Sequence, residues 1–190
     1  MGTRSGDLDP QIILHIVGRE GLSLAEANTL LNKHSGLLGI SGLTSDMREI
    51  ISEKKAGNKQ AELAFEVFTY RIKKYLGSYA AVMGGVDAIV FTGGIGENSP
   101  DVRAESCKGL EFIGVSIDEA RNNSAEKEKL ISTGSSKVKV FALPTNEELV
   151  IALDTMRIVE AASHSSTAAV RGGDGKASGE VTHEKVDSAR

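Results

Sequence analysis

Three glycines, Gly93, Gly94 and Gly96, stand close together after a short apolar run. The helix start that follows, at Ser99 and Pro100, places backbone N–H groups and a helix N-terminus at one spot, which suits an anionic or phosphate-bearing ligand. Glycine also lets a ligand approach the main chain because it has no Cβ atom. The segment therefore indicates a nucleotide site, a dinucleotide site or a plain tight turn.

Two nucleotide-binding motifs can be compared with this segment. No lysine follows the glycines in the way a P-loop requires, so the sequence excludes that motif. Gly94-x-Gly96-x-x-Ser99 nearly matches the NAD-type dinucleotide fingerprint, and Asp118 lies 24 residues after Gly94, close to the spacing of a ribose-binding acid. Glu97 argues against a dinucleotide, because its carboxylate would face the pyrophosphate. The dinucleotide site and the tight turn stay open as alternatives.

Composition limits the class of partner. The 190-residue chain has a net charge of -4, which gives no reason to expect a nucleic-acid partner, since phosphate backbones require clustered Lys and Arg. Cys107 is the single cysteine, which excludes an internal disulfide and fits a reducing compartment. No apolar stretch approaches the roughly 20 residues of a bilayer span, and the N-terminus lacks a signal-peptide pattern. We expect a cytoplasmic protein without membrane or nucleic-acid partners.

Two helices are predicted near the N-terminus. Asp9 and Pro10 form an N-cap followed by proline at the first helical position, and this helix ends at Gly21. Ser23 caps a second helix, and Glu26 three residues later completes a capping box.

The next helices flank a glycine-rich segment. Residues 35–46 predict a loop, and Thr44 or Ser45 starts a short helix near its end. Residues 59–83 predict the longest helix, with an apolar stripe at spacings of three and four. The stripe consists of Phe65, Phe68, Ile72, Tyr75 and Tyr79. We interpret it as core or subunit interface.

Strands are predicted on both sides of the polar segment 121–136. Residues 88–91 form a continuous apolar run, typical of a strand buried on both faces of a parallel or mixed sheet. Residues 112–117 and 137–144 predict two further strands. With the helices, these strands predict an α/β fold.

The C-terminal part is predicted to contain a helix and a tail. Asn146 predicts the N-cap of a helix over 147–162, and its buried face is marked by Leu149, Val150, Leu153, Met156 and Ile158. Residues 163–190 contain no Leu, Ile, Phe, Tyr or Trp, so they cannot offset an ordering entropy of about 1–2 kcal/mol per residue. We predict a disordered tail there, in which His164 and His183 are poor metal ligands.

Four motifs carry a resemblance to a known family. They are TRSGDLDP (3–10), GLLGISGLTSDMRE (36–49), VFTGGIGENS (90–99) and LPTNEELVIA (143–152). Over residues 1–162 the chain resembles the C-terminal, nucleotide-binding portion of the acetokinase family, in the superfamily of acetate and sugar kinases, Hsp70 and actin. The resemblance implies an actin-like ATPase (ribonuclease H-like) domain, a mixed sheet flanked by helices, followed by the tail.

In that family the reaction is reversible, Mg²⁺-dependent phosphoryl transfer between ATP and acetate, which gives acetyl phosphate and ADP. The resemblance therefore implies ATP or ADP and Mg²⁺ as cofactors, acetate and acetyl phosphate as substrates, and a homodimer. Arg4 resembles the family's catalytic arginine. A guanidinium suits this role because it is always charged and can donate two parallel bonds to phosphate oxygens. Acetate, propionate and butyrate stay undistinguished.

The resemblance also implies a nucleotide site. Asp46, Met47 and Arg48 match the adenosine-contacting segment, where a carboxylate can accept from ribose hydroxyls and Met and Arg can pack against a purine. The glycine segment matches the nucleotide-binding loop through Gly94, Ile95, Gly96, Glu97 and Asn98. An uncharged nucleoside against this loop removes the objection raised by the glutamate.

Glu147 matches the family's metal-binding position. Mg²⁺ prefers few carboxylates together with phosphate and water oxygens, so one glutamate near the phosphates suits it. The same side chain could complement the helix dipole after the Asn146 cap, and both roles can hold together.

The family's acyl-substrate pocket, its phosphate-binding loop and its catalytic aspartate and histidine precede the motif that contains Arg4. None of them is matched in this sequence, so we expect the nucleotide-binding half of an enzyme of this family. The alternative is a nucleotide-binding or dimerising module without turnover.

Overall fold

The computed structural model describes residues 1–171, without the side chains of Glu147 and of residues 162–171. The chain divides into two compact units, the first ending at Thr145 and the second beginning at Asn146. The helices of the first unit are α1 (Pro10–Glu20), α2 (Leu24–Lys33), α3 (Gly36–Ser41), α4 (Met47–Lys55), α5 (Lys59–Val82), α6 (Gly93–Asn98), α7 (Pro100–Cys107) and α8 (Glu119–Asn122). Its strands are β1 (Ala88–Phe91), β2 (Lys129–Leu130) and β3 (Lys139–Ala142).

The strands form a mixed sheet in the order β1-β3-β2. β1 and β3 are parallel, with Ala88 opposite Lys139 and Phe91 opposite Ala142, whereas β2 pairs antiparallel to β3. The inward side chains of β1 and β3 belong to the first core cluster, which also contains Cys107 of α7 and against which residues of α5 pack. The predicted mixed sheet flanked by helices is confirmed.

Burial alternates along β1, contrary to the prediction of a strand buried on both faces. Ile89 and Phe91 face the core, whereas Val90 is 51% exposed. An apolar run of four residues does not by itself distinguish one buried face from two, because valine is tolerated on an open sheet face.

Helices α3, α4, α5 and α7 surround a second core cluster. It contains Leu37, Met47, Ile50, Ala61, Ala64, Phe65 and Val102. The two alanines are completely buried, which lets the backbone of α4 approach α5 closely. The Lys54 ammonium lies 4.0 Å from the centre of the Phe65 ring, a cation–π contact at the edge of this cluster.

The apolar stripe of α5 is partly core and partly surface. Phe65 is buried, and Ile72 contacts both core clusters. Towards the end of the helix Tyr75 and Tyr79 are exposed, with ring centres 6.0 Å apart, and the Tyr75 hydroxyl donates to the Asp7 carboxylate. The core interpretation is therefore confirmed for the first half of the stripe.

The helix starts near the N-terminus follow the predicted signals. The Asp9 carboxylate accepts from the N–H of Gln11, and α1 ends at Gly21 in the left-handed conformation. Ser23 and Glu26 form the predicted capping box of α2.

Two local predictions for the next segment are wrong. Residues 36–41 are helical rather than loop, because the N-terminal segment pairs with the start of the helix: the carbonyls of Met1 and Gly2 accept from the N–H groups of Leu37 and Leu38. Gly36 makes this approach possible, since a Cβ atom there would clash with the Met1 carbonyl oxygen. Helix α4 begins after Asp46 as its N-cap, not after Thr44 or Ser45.

The segment predicted as a strand at 112–117 is also different. It forms a 3-10 turn at Glu111–Ile113, followed by isolated bridges from Val115 and Ile117. Gly114 has a positive φ there and interrupts the extended conformation.

The second unit is described as one helix, α9 (Glu147–Arg171). Asn146 caps it as predicted, accepting from the N–H of Leu149 at 3.0 Å. The predicted buried face is wrong, because its five apolar side chains are 40–69% exposed. The helix also extends past the predicted boundary at 162, since no glycine or proline occurs before Gly172. Residues 172–190, the rest of the predicted tail, lie outside the described residues.

Helices of membrane-spanning length and hydropathy are absent from the described part of the chain.

Phe65→Ala is expected to lower the free energy of unfolding by about 3–5 kcal/mol, because it leaves a cavity in the second core cluster. Leu63→Ala is the matched control on the same helix, since Leu63 is 47% exposed. Its expected loss is below about 1 kcal/mol. Urea denaturation followed by circular dichroism measures both values, and equal losses would contradict the assignment of this cluster as core.

Candidate functional site: a cavity between helices α4, α6 and α7

The glycine segment is a short helix rather than an open loop. After β1 ends at Phe91, only Thr92 precedes α6, which then gives way to α7 at Ser99. Gly93 has a φ of 72°, a left-handed conformation that makes this abrupt turn from strand to helix possible. The side chain of Glu97 accepts from the N–H of Gly93 at 2.9 Å and closes the first turn.

The other two glycines of the segment have different roles. A Cβ atom at Gly96 would lie 3.2 Å from the carbonyl carbon of Phe91, so this glycine allows α6 to lie directly on the strand. A Cβ atom at Gly94 would have no heavy atom within 4 Å. The same holds at Gly93, but of these two glycines it is Gly94 that lies beside a cavity and leaves its backbone accessible to a ligand there.

This cavity has a volume of about 530 Å³, a size typical of small-molecule sites. It is lined by Asp46, Met47, Arg48, Ile51, Gly94, Ile95, Asn98, Ser99, Pro100 and Asp101. The structure thus brings together two segments that are about 46 residues apart and that the sequence predicted separately. Isoleucine, methionine and proline supply apolar surface, and the charged groups come from Asp46, Arg48 and Asp101.

Asp46 and Arg48 form a pair at the cavity. The Asp46 carboxylate accepts from the Arg48 backbone N–H at 2.8 Å and from its guanidinium through Nε and Nη2, the latter at 2.5 Å. Donation from the Arg48 side chain, followed by donation from its backbone, lowers the pKa of Asp46 from its ordinary value near 3.8 to about 2. Asp46 is therefore ionised at neutral pH and both caps α4 and orients the guanidinium.

Met47 and Ile95 connect the cavity to the core. Met47 is only 3% exposed and belongs to the second core cluster, against which Ile95 packs. Their positions are consequently fixed by packing, so the apolar wall that they contribute is present without a ligand.

Asn98 and Glu97 face different surroundings. Asn98 lines the cavity and donates to the carbonyl of Gly94 at 2.9 Å. Glu97 does not line it, because its carboxylate also accepts from the backbone N–H and the hydroxyl of Thr145. Donation by the Thr145 and Gly93 groups lowers the pKa of Glu97. Glu97 thus fixes the backbone of α6 and of the segment before Asn146.

Arg103 supports the backbone of α6 beside the cavity, a role that no sequence pattern predicted. It is completely buried on α7, and its guanidinium donates to the carbonyls of Gly96 and Glu97, both at 2.8 Å. Sequence reasoning treats a helical arginine as exposed. The available signal was its spacing, four residues after Ser99 and four before Cys107, which is buried on the same helix face.

Arg4 lines a different cavity. That cavity has a volume of about 570 Å³ and lies against α5, with Arg71, Phe68 and Ile72 among its lining residues. Arg71 holds the N-terminal segment there by donating to the carbonyls of Ser5 and Asp7 and by pairing with the Asp7 carboxylate at 2.8 Å.

The predicted metal ligand is described only through its backbone. Glu147 begins α9, in the second unit. In the described part of the chain, no three His, Cys, Asp or Glu side chains are grouped so as to hold a metal ion. Asp118, the acid of the dinucleotide alternative, caps α8 by accepting from the N–H of Arg121 at 3.0 Å.

A sequence model of the acetokinase family matches residues 1–153, which include every residue of this cavity. The chain belongs to the acetokinase family. It is 54% identical over 159 residues to the acetate kinase of Symbiobacterium thermophilum and 56% identical over 159 residues to that of Carboxydothermus hydrogenoformans. Both matches cover 84% of this chain and 40% of the relative. This acetokinase-family chain therefore spans about 40% of the length of these curated relatives.

Solved structures agree with the family assignment. The crystal structure of Porphyromonas gingivalis acetate kinase superposes with a TM-score of 0.79 at 51% identity, covering 84% of this chain and 40% of that chain. A propionate kinase from Francisella tularensis gives 0.74 at 42% identity, covering 80% and 38% respectively. The fold of this acetokinase-family chain is consistent with an actin-like ATPase.

Gly96→Ala is expected to lower the free energy of unfolding by about 1–3 kcal/mol, because the added methyl group pushes α6 away from Phe91. Gly94→Ala adds the same group in open space, so the expected change is zero or a gain of about 0.5–1 kcal/mol from helix propensity. Urea denaturation of the two variants makes the comparison. A larger loss for Gly94→Ala would contradict the different roles assigned to these glycines.

Asp46→Asn is expected to reduce the acid sensitivity of the fold. The lowered pKa of Asp46 gives stability that is present above pH 3.8 and is lost as the pH falls through about 2. Asparagine keeps a capping oxygen but has no charge to lose. Urea denaturation between pH 4 and pH 2 should therefore show a shallower decline for this variant. Glu49→Gln, which removes a charge from the same helix turn, is the control; an equal change of slope there would exclude a specific role of Asp46.

Proposed function

We propose that this chain is the nucleotide-binding part of an enzyme that transfers a phosphoryl group reversibly between ATP and acetate, with Mg²⁺. The observation that carries the proposal is the meeting of residues 46–48 with Gly94, Ile95 and Asn98 at one cavity. Membership of the acetokinase family and similarity to named acetate kinases support it.

The cavity fits the uncharged end of an adenine nucleotide. Ile51 and Ile95, which pack against the core cluster that contains Met47, offer an apolar surface for a purine, and Gly94 leaves the main chain open to close approach. The Arg48 side chain is 89% exposed, so its flat guanidinium is free to lie along a purine while its inner edge stays paired with Asp46. Because Asp46 carries a full negative charge, it is suited to accept hydrogen bonds from ribose hydroxyls.

The phosphate end of the nucleotide is assigned to other residues. Arg4 is an exposed cation, suited to stabilise charge on the phosphoryl group in transit. Glu147 is proposed as the carboxylate that holds Mg²⁺, the remaining ligands being phosphate and water oxygens. When bound, the metal would neutralise phosphate charge during transfer.

The acceptor is proposed to be acetate, with acetyl phosphate as the product. Solved relatives are named as an acetate kinase and as a propionate kinase, so a short-chain carboxylate is the shared class. A cytoplasmic location and assembly as a homodimer belong to the same proposal. The alternative, a binding module without turnover, is favoured for the isolated chain by its span of about 40% of the relatives.

The purified chain is expected to bind ADP weakly, with a Kd of about 0.1–1 mM, and to form little or no acetyl phosphate from acetate, ATP and Mg²⁺. Binding should survive because the cavity is complete within residues 46–101, whereas turnover needs a positioned carboxylate. Isothermal titration calorimetry and a hydroxamate assay for acetyl phosphate provide the two readouts.

Variants localise the binding to the cavity. Gly94→Val should weaken ADP binding by at least about tenfold by filling the open space, whereas Lys127→Ala, an exposed lysine away from the cavity, should leave it unchanged. Folded wild-type chain that binds no ADP, or a Gly94→Val variant that binds it normally, would overturn the proposed nucleotide site.

A further inference from the structure

We propose that Arg103 is a positioning residue, which acts through helix α6 and the first turn of α7 to set the shape of the nucleotide cavity. The inference rests on the proposed function for its ligand. It concerns a side chain that does not line the cavity and that no sequence motif identified.

The guanidinium of Arg103 uses all three of its nitrogens. Nη1 donates to the carbonyls of Gly96 and Glu97, at 2.8 Å each. Nε donates to the side-chain oxygen of Asn122 at 2.8 Å, and Nη2 donates to the Asn122 carbonyl at 2.7 Å. One side chain therefore ties the end of α6 to the end of α8.

Asn122 carries the connection to the first turn of α7, on the same side of the cavity as α6. Its side chain is 2% exposed, and its amide nitrogen donates to the carbonyl of Pro100 at 3.0 Å. Pro100 and Asn98 both line the cavity. The Arg103–Asn122 pair thus bonds to backbone on both α6 and α7, the two elements that form this side of the site.

The requirement is for an arginine rather than for any cation. Lysine has one donor nitrogen, which cannot reach carbonyls of α6 and both oxygens of Asn122 from one position, whereas the guanidinium is a rigid fork. Burial lowers the pKa of Arg103, but an arginine keeps its charge in proteins. The carbonyls of Gly96 and Glu97 would be left without this donor if the fork were absent.

A third cavity, of about 440 Å³, has Arg103 among its lining residues, together with Glu97, Asn98 and Pro100. It is lined in part by Glu126, Lys127 and Lys129. Arg103 is completely buried, but truncation of its side chain would join the space that it fills to this cavity. A small cation could then reach the position of the guanidinium, which makes chemical rescue of the truncated side chain possible.

The test compares four variants of the full chain: Arg103→Ala, Arg103→Lys, Arg121→Lys and Ile131→Val. Arg121 lies on α8 and is half-exposed, so it controls for the loss of a nearby guanidinium. Ile131 is completely buried beside the sheet and lines neither cavity, so its variant controls for a loss of stability alone. Ile131→Ala replaces it if a larger loss is needed to match Arg103→Ala.

Two readouts are measured. Calorimetry should show ADP affinity reduced by at least about tenfold in Arg103→Ala and Arg103→Lys, and unchanged in the two controls. Hydrogen exchange without nucleotide should show faster exchange of the α6 amides in the Arg103 variants only. Millimolar guanidinium, but not ammonium, should restore both properties to Arg103→Ala.

The readouts separate this inference from the proposed function. A wild-type chain that binds no ADP would remove the proposed ligand, yet exchange in α6 would still decide whether Arg103 positions that helix. Unchanged α6 exchange, full ADP affinity in Arg103→Lys, or equal losses in the stability-matched variant would overturn the inference. Should Arg103→Ala fail to fold, Asn122→Ala removes the bond from Arg103 Nε and the bond to the Pro100 carbonyl, and it keeps the bonds to the Gly96 and Glu97 carbonyls. The same changes are then expected at smaller size, and their absence would overturn the inference.

Discussion

Helix α6 has six residues, too few to be stable alone, so its position depends on contacts at both ends. At its start, Gly93 turns the chain and Glu97 bonds back to the Gly93 N–H. Along its length Gly96 lies on Phe91, and at its end the buried Arg103 binds two carbonyls. Because the chain itself makes all of these contacts, the cavity is preorganised, which reduces the ordering entropy that binding would otherwise cost.

The charge of Arg103 is buried without a carboxylate among the partners found in residues 1–145. Its partners are oxygens at the C-terminal ends of two short helices, where the backbone dipoles favour a cation. Lys129 lies in the same region and donates to the carbonyls of Asn122 and Ser124. Desolvation, and then repulsion from Arg103, lowers the pKa of Lys129. The carbonyls at these helix ends have no partner within their own helix, so they are free to stabilise both cations. Through these bonds the two cations join elements that are far apart in the sequence.

Local signals predicted the helix ends, whereas tertiary contacts decided the rest. Asp9 and Ser23 cap helices through bonds within three residues, so the sequence specifies them directly. Helix α3 depends on the contact of Gly36 with the N-terminal segment, which no local pattern records. The candidate site was likewise predicted only in part. Motif resemblance identified the two segments of the cavity, but Gly96 was predicted to make room for a ligand and instead makes room for the strand. Arg103 was missed because three of its four acceptors are backbone carbonyls, which any residue type provides.

The contacts available at this cavity explain affinity for a nucleotide more readily than they explain the rate of phosphoryl transfer. Under the proposed function, the apolar surface and the Asp46–Arg48 pair would contact the part of a nucleotide that does not change during phosphoryl transfer, so they would bind substrate and transition state equally. Such uniform binding lowers the concentration of nucleotide required but does not accelerate the chemical step. Acceleration requires charges placed where the phosphoryl group moves and a carboxylate held in line with it, with reacting atoms about 3–3.5 Å apart. Arg4 lines a separate cavity in the first unit, so the geometry that joins binding to catalysis has to come from contacts beyond this cavity.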